Sequence, residues 1–373
     1  MIFVVGISIS LFIAALLVSK KNKSGADKIL LCWMLLDAFH LFLFYLTSTE
    51  QLFDYPFLLG LEFPMPLLHG VFLYLYVASI TDYLPDRKGL IGLHFIPALL
   101  TYAYLIHFFM LSAAEKIAVY QNDGAGYELF QTIILLATFL SGVAYVFWSG
   151  RLLAKHRKRI RNEFSSIGEI NLRWLRLLTI GIGVIWILVI FTQNSLLIFS
   201  ALSVFVIVLG FFGIQQKHIF SDTPLIDSET SPNTEEPTVE ENTKEKYQNS
   251  GLTNDQGEDL FKQLSTLMSE QKVFKNNELK LNELASQLDV HPNHLSQVIN
   301  ERAEVNFYDF VNTYRVEEFK MLIAMPKNQA FTIISLAYEC GFNSKSSFNR
   351  YFKKHTGQTP SEYLSSIRKL KNV

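Results

Sequence analysis

Cysteine is scarce in this chain. Its 373 residues hold two, Cys32 in an apolar run and Cys340 in a polar half. No disulfide between such different surroundings is expected, and no zinc-ligand spacing exists, so both thiols fit a reducing cytoplasm. Net charge is scarce too: 33 Lys and Arg against 34 Asp and Glu leave −1, a balance that by itself fits an ordinary soluble protein. Also missing are a glycine-rich phosphate loop, a nucleophile elbow and a kinase motif. The chain is therefore expected to be no enzyme and to need no cofactor. These averages hide two different halves. Residues 1–215 are dominated by Leu, Ile, Phe, Val and Tyr, whereas 220–373 read as soluble.

Apolar runs cover roughly 2–19, 29–46, 64–82, 90–111, 129–149, 175–192 and 195–214. Runs approaching the length that crosses hydrocarbon, one after another, predict a seven-helix transmembrane bundle rather than a large soluble core. The first run is not read as a signal peptide, because nothing positive precedes it while Lys20, Lys21 and Lys23 follow it. The loops then set the orientation by their Lys/Arg bias. The first holds four lysines, the third Arg87 and Lys88, and the fifth Arg151, Lys155, Arg157, Lys158, Arg159, Arg161 and Arg173. The second holds none, and the fourth only Lys116. This alternation predicts the amino terminus outside and the polar half in the cytoplasm.

Polar groups inside the spans are few. Asp37 and His40 are three apart, hence on one helix face, while Glu62, His69 and His107 are expected near the outer side. Ionisable groups at membrane depth face the bundle interior or a cavity, so these five are candidate ligand-pocket residues. The alternative is a polar clasp between helices, and no metal site is assigned to them. A retinal-type photoreceptor is discarded, since it needs a Schiff-base lysine in the last span and 195–214 has none.

Residues 221–250 are rich in Ser, Thr, Pro, Asn and Glu, with Glu235-Glu236-Pro237 and Glu240-Glu241. Such a segment cannot bury enough apolar surface to fold, and 218–256 is read as a disordered acidic linker.

Beyond it the pattern turns helical. Leu281, Leu284, Ala285, Leu288 and Val290, then Leu295, Val298 and Ile299, describe two short helices meeting at a tight turn. The pattern recurs in Ile333, Leu336, Ala337, Cys340, Gly341 and Phe342, followed by Phe348, Tyr351 and Phe352. Between them, apolar residues at helical spacing from about 306 to Met325-Pro326 predict a helix of about 20 residues and about 30 Å. That length suits two helices set in successive major grooves of one DNA face.

The stretch Ile333-x-x-Leu336-Ala337-x-x-Cys340-Gly341-Phe342, with Phe348-x-Arg350-x-Phe352-Lys353-Lys354-x-x-Gly357-x-Thr359-Pro360-x-x-Tyr363, resembles the signature of AraC-family transcriptional regulators. The resemblance covers about 258–365. It implies sequence-specific DNA binding by two helix-turn-helix units, about 281–300 and 333–355, joined by the helix at 306–325. Two departures occur: Asp289 stands where glycine is frequent, and Phe319 where alanine is. The apolar half does not resemble the soluble sugar-binding barrel of well-known members; it is similar to membrane-tethered regulators of some bacteria.

The whole is thus expected to be all-α: membrane domain 1–217, linker 218–256 and DNA-binding domain 257–373. On the first reading helix the outer face takes Asn293, Ser296, Gln297 and Asn300, and on the second Ser346, Asn349, Arg350 and Lys353. Asn293, Ser296, Gln297, Ser346, Asn349 and Arg350 are assigned to base edges. Asn300, Lys345, Lys353 and Lys354 are assigned to phosphates. Residues 343–373 carry seven Lys/Arg against one Glu, as a DNA-facing surface needs. The expected function is a one-component regulator of the bacterial cytoplasmic membrane. Its partners would be double-stranded DNA, the lipid bilayer and a small-molecule or protein signal, with RNA polymerase and a second copy as further candidates. Two alternatives are a bundle that only localises the regulator or binds a partner, and a regulator freed by proteolysis within 221–250.

Overall fold

A computed structural model of the chain describes residues 1–85, 87–166, 173–192, 194–215, 253–328 and 330–371. The acidic linker at 218–252 lies outside the described residues. The architecture is all-helical; among the described residues no strand occurs, only an isolated bridge between Phe164 and Lys280. Two compact units result: one takes its described residues from Met1–Ala154 and Leu172–Pro232, the other from Lys155–Asn171 and Asn233–Val373.

The first unit holds α1 (Ile2–Ser19), α2 (Gly25–Ser48), α3 (Met65–Ile80), α4 (Lys88–Leu93), α5 (Ile96–Tyr104), α6 (Ile106–Phe109) and α7 (Ala113–Gln121). It also holds most of α8 (Glu128–Glu163), then α9 (Arg173–Thr192) and α10 (Ser195–Gln215). Among the described residues four helices, α1, α2, α8 and α9, are long and apolar enough to cross a membrane, and α3 and α10 carry shorter apolar runs. α1 packs along α2 and α10 through Ile13, Ala14, Leu17, Leu41, Val206 and Leu209. Ser24 starts α2 with a reciprocal cap: its hydroxyl accepts from Asp27 N–H, and the Asp27 carboxylate accepts from Ser24 N–H and, at 2.8 Å, from Lys20. Outward, Leu99, Leu129, Ile180 and Phe191 stand exposed, a surface that suits lipid and is costly in water.

The apolar run 90–111 is not one helix. It is divided among α4, α5 and α6, with breaks at His94–Phe95 and at Leu105. Gly89 and Gly92 weaken the first piece, and Pro97 supplies no N–H and disfavours helix just before it. Conversely α8 does not stop where its apolar run ends at 149 but continues as helix through the basic stretch to Glu163.

The second unit contains α11 (Asn254–Thr266), α12 (Leu281–Gln287), α13 (Pro292–Arg302), α14 (Phe307–Ala324), α15 (Ile333–Glu339), α16 (Lys345–Thr356) and α17 (Pro360–Lys371). Thr253 caps α11, so helix begins inside the stretch that the sequence assigns to the linker. α14 starts on Asn306, whose side chain accepts from Asp309 N–H at 2.9 Å, and stops before Pro326. Its first turns join the core of α11, α12 and α13 through Phe307, Phe310 and Val311. Its later turns join that of α15, α16 and α17 through Val316, Phe319 and Ile323. Phe319 is fully buried, with ring centroids 4.7 Å from Phe348 and 5.4 Å from Phe352. Its larger side chain in place of the frequent alanine is thus core packing, contributing about 1.5–3 kcal/mol.

Candidate nucleic-acid interface

The two helix pairs turn in the same way. After α12, Val290 N–H donates to Ala285 C=O at 3.0 Å; after α15, Phe342 N–H donates to Ala337 C=O at 3.1 Å. Both bonds run back five residues, and each is allowed by a left-handed residue just before the donor: Asp289 with φ 54° and Gly341 with φ 95°. The next helix then starts on a side-chain cap. His291 Nδ1 accepts from Asn293 N–H at 3.2 Å for α13, and Ser344 Oγ accepts from Ser347 N–H at 3.2 Å for α16.

On α16 the buried face is Ser347, Phe348, Tyr351 and Phe352, and the remainder is presented outward. Lys345, Ser346, Asn349, Arg350, Lys353 and Lys354 are all exposed, so the structure brings six of the sequence-assigned residues onto one open surface. Lys354 is not idle there: its Nζ lies 3.0 Å from Asp309 Oδ1. Burial pushes the Tyr351 hydroxyl up to about 12, and it donates to Asp309 C=O at 2.7 Å.

α13 differs. Asn293 is exposed, Ser296 and Asn300 are half-buried, and Gln297 is buried. The Gln297 amide Nε2 donates to Glu301 Oε1 at 3.0 Å, and among the described residues its Oε1 has no hydrogen-bond partner. Helical spacing placed Gln297 beside Asn293 and Asn300; packing against the rest of the unit turns it inward.

Sequence reasoning missed three charged residues that tie the elements of this unit together, of which Asp309 reaches the outward face of α16. Arg315 is fully buried on α14 and donates from Nε to Phe274 C=O at 2.8 Å and from Nη2 to Asn276 C=O at 2.7 Å. Nη1 and Nη2 also reach Ser165, at its carbonyl and hydroxyl, each at 3.1 Å. Burial pulls the guanidinium down to about 10, still charged at neutral pH, and its hydrogen bonds offset the desolvation. Asp309 is the third residue of its helix after an Asn cap, a spacing that marks a helix start and nothing more. Glu318, nearly buried, pairs with Lys272 and Lys275 at 2.8 and 3.0 Å. A charged residue inside an apolar helical stripe was the only available signal for Arg315 and Glu318.

In the first unit the five candidate pocket residues do not converge. Asp37 Oδ2 accepts from Ser10 Oγ at 2.7 Å. His40 Nδ1 lies 3.0 Å from His69 Nε2, and His69 Nδ1 is 3.2 Å from Trp33 Nε1. An indole only donates, so a neutral His69 carries its proton on Nε2 and donates to His40. Glu62 is hydrogen-bonded to the Tyr120 hydroxyl and to Gly60 N–H, and His107 is exposed. A cavity of about 390 Å³ adjoins only the Glu62 end of this set: it is lined by Phe63, Phe108, Tyr120, Tyr127, Phe130 and Gln131 among others, and Tyr120 is the hydroxyl bonded to Glu62. Among the described residues no group of three or more His, Cys, Asp or Glu is arranged to hold a metal ion.

Residues 284–366 match the family described as a helix-turn-helix domain. An HTH-type transcriptional regulator of Staphylococcus aureus strain COL is 37% identical over 86 residues, which cover 23% of this chain and 11% of that protein. The HTH-type transcriptional regulator YijO of Escherichia coli strain K12 is 32% identical over 74 residues, 20% of this chain and 25% of that one. This chain therefore spans about a tenth of the length of the staphylococcal relative. No solved structure matches. The carboxyl-terminal part is thus similar to the helix-turn-helix domains of transcription regulators, and the similarity stops at that part.

Proposed function

We propose that the chain is a membrane-bound one-component transcription regulator, which reads DNA with two helix-turn-helix units and is controlled from its apolar half. The observation that carries this reading is the exposed face of α16, with Lys345, Ser346, Asn349, Arg350, Lys353 and Lys354, inside the segment that matches the helix-turn-helix family. α12 with α13 would form the first unit and α15 with α16 the second. The 18 residues of α14 measure about 27 Å, which suits two reading helices about one turn of B-DNA apart. Arg350, Asn349, Ser346, Asn293 and Ser296 would read base edges, and Asn300, Lys345, Lys353 and Lys354 would hold phosphates.

The apolar half would span the bilayer seven times with the amino terminus outside, the broken segment α4–α6 making the fourth crossing. Residues 218–252 would tether the regulator, whose further partners would be RNA polymerase and a second copy. Within the bundle, the separate bonding of Asp37, of His40 with His69, and of Glu62 favours polar clasps over a common pocket for these groups.

Binding-site selection by the full-length protein from a random duplex library tests the reading. Two contacted blocks about 10 base pairs apart are expected. Arg350→Ala should cost about 1–3 kcal/mol and relax base preference in one block only. Enrichment of no site, or of a single block, would overturn it.

A further inference from the structure

The carboxyl end of α8 belongs to the second unit, and its contacts there are numerous for so short a segment. Ile160 is buried in the core shared by Tyr308, Val316 and Tyr351. Arg161 Nη2 lies 2.9 Å from Asp309 Oδ2, with its guanidinium over the Tyr308 ring. Phe164 bridges to Lys280. Ser165 N–H and Oγ both donate to Leu279 C=O, at 3.2 and 2.7 Å. Its own carbonyl accepts from Asn312 Nδ2 at 3.0 Å and from Arg315. Residues 160–165 are thus stitched along α14 by side chains and backbone together. The sequence alone assigns this stretch only to the positive-inside rule.

One of these contacts reaches the DNA-facing surface. Asp309 divides its carboxylate: Oδ2 takes Arg161 and, at 3.0 Å, Asn306 Nδ2, while Oδ1 takes Lys354. A single carboxylate shared by two cations holds each less tightly than it would hold one alone. While Arg161 is present, the local charge is net positive and Lys354 is available to a phosphate. With Arg161 withdrawn, Asp309 is matched by Lys354 alone, and an approaching phosphate must compete with it and meet its negative charge.

We propose that residues 160–165 are a regulatory arm: docked on α14, they neutralise Asp309 through Arg161 and release Lys354 for DNA, and undocked, they let Asp309 capture it. The arm is the carboxyl end of α8, the helix whose earlier part carries the apolar run 129–149. The proposal rests on the DNA-binding reading above and names its regulation.

The test is a double-mutant cycle on the full-length protein in lipid nanodiscs, with the duplex that the wild type selects. Arg161→Ala should weaken binding about three- to tenfold, and Arg161→Lys should restore most of it. In an Asp309→Asn background, which removes the charge and keeps the shape, Arg161→Ala should change affinity less than about twofold. Arg161→Gln enters the same cycle, so that a failure of the Ala variant to accumulate does not decide the matter. Unchanged affinity in the wild-type background, or an equal loss in both backgrounds, would overturn the arm while leaving the DNA-binding reading intact. A wild type that selects no duplex would remove both.

Discussion

Asp289 and Gly341 occupy the same left-handed place in two successive turns, yet only the second is crowded. A Cβ on Gly341 would stand 2.5 Å from Phe274 C=O and 2.9 Å from Lys275 C=O, both backbone atoms that cannot swing aside. Gly341→Ala should therefore destabilise the second unit by about 2–4 kcal/mol, combining the left-handed penalty with a backbone clash. Asp289→Gly relieves strain but adds freedom to the unfolded chain, and should change stability by less than about 1 kcal/mol. Pulse proteolysis in urea measures both, and a tolerated Gly341→Ala would contradict the crowding.

Gln297 and Glu301 offer a second test, because their hydrogen bond turns a sequence-assigned reading group inward. If α13 reads with Gln297, its amide must leave Glu301, and Glu301→Ala should shift base preference within the α13 block. If Asn293 reads there instead, Asn293→Ala should relax that block, at about 1–3 kcal/mol, and Glu301→Ala should leave preference unaltered. Binding-site selection on the two variants separates the cases.

Cys340 is fully buried, and desolvation pushes its thiol up to about 12 from an ordinary 9.0. In a Cys32→Ser background the native protein should thus resist a thiol-labelling reagent at pH 8 and take up one equivalent on unfolding. The folded thiol keeps its proton where the unfolded one has lost it. Its contribution to stability is fully present below pH 9 and is lost as pH rises toward 12. Rapid labelling of the native state would show the carboxyl-terminal core to be open to solvent.

Much of this architecture is written in short-range pattern. The two tight turns are decided by five consecutive residues each, Ala285 to Asp289 and Ala337 to Gly341, so a single sequence shows them repeating. The helix start at Asn306 and the stop before Pro326 are equally local. So is the apolar character of α1, α2, α8 and α9, because one element's length and composition suffice to fit it to hydrocarbon. Tertiary structure alone decided the rest. Gly92 and Pro97 lie in an even apolar run, and whether they kink a span or divide it depends on what packs beside them. Gln297 has the spacing of an outward residue and is buried by its neighbours in the unit. Arg315 finds Ser165, 150 positions away, and Asp309 joins Arg161 to Lys354. Helices and turns are settled by groups three to five residues apart, which periodicity records. The partner of a buried charge is settled by where distant segments meet, and no local period carries that.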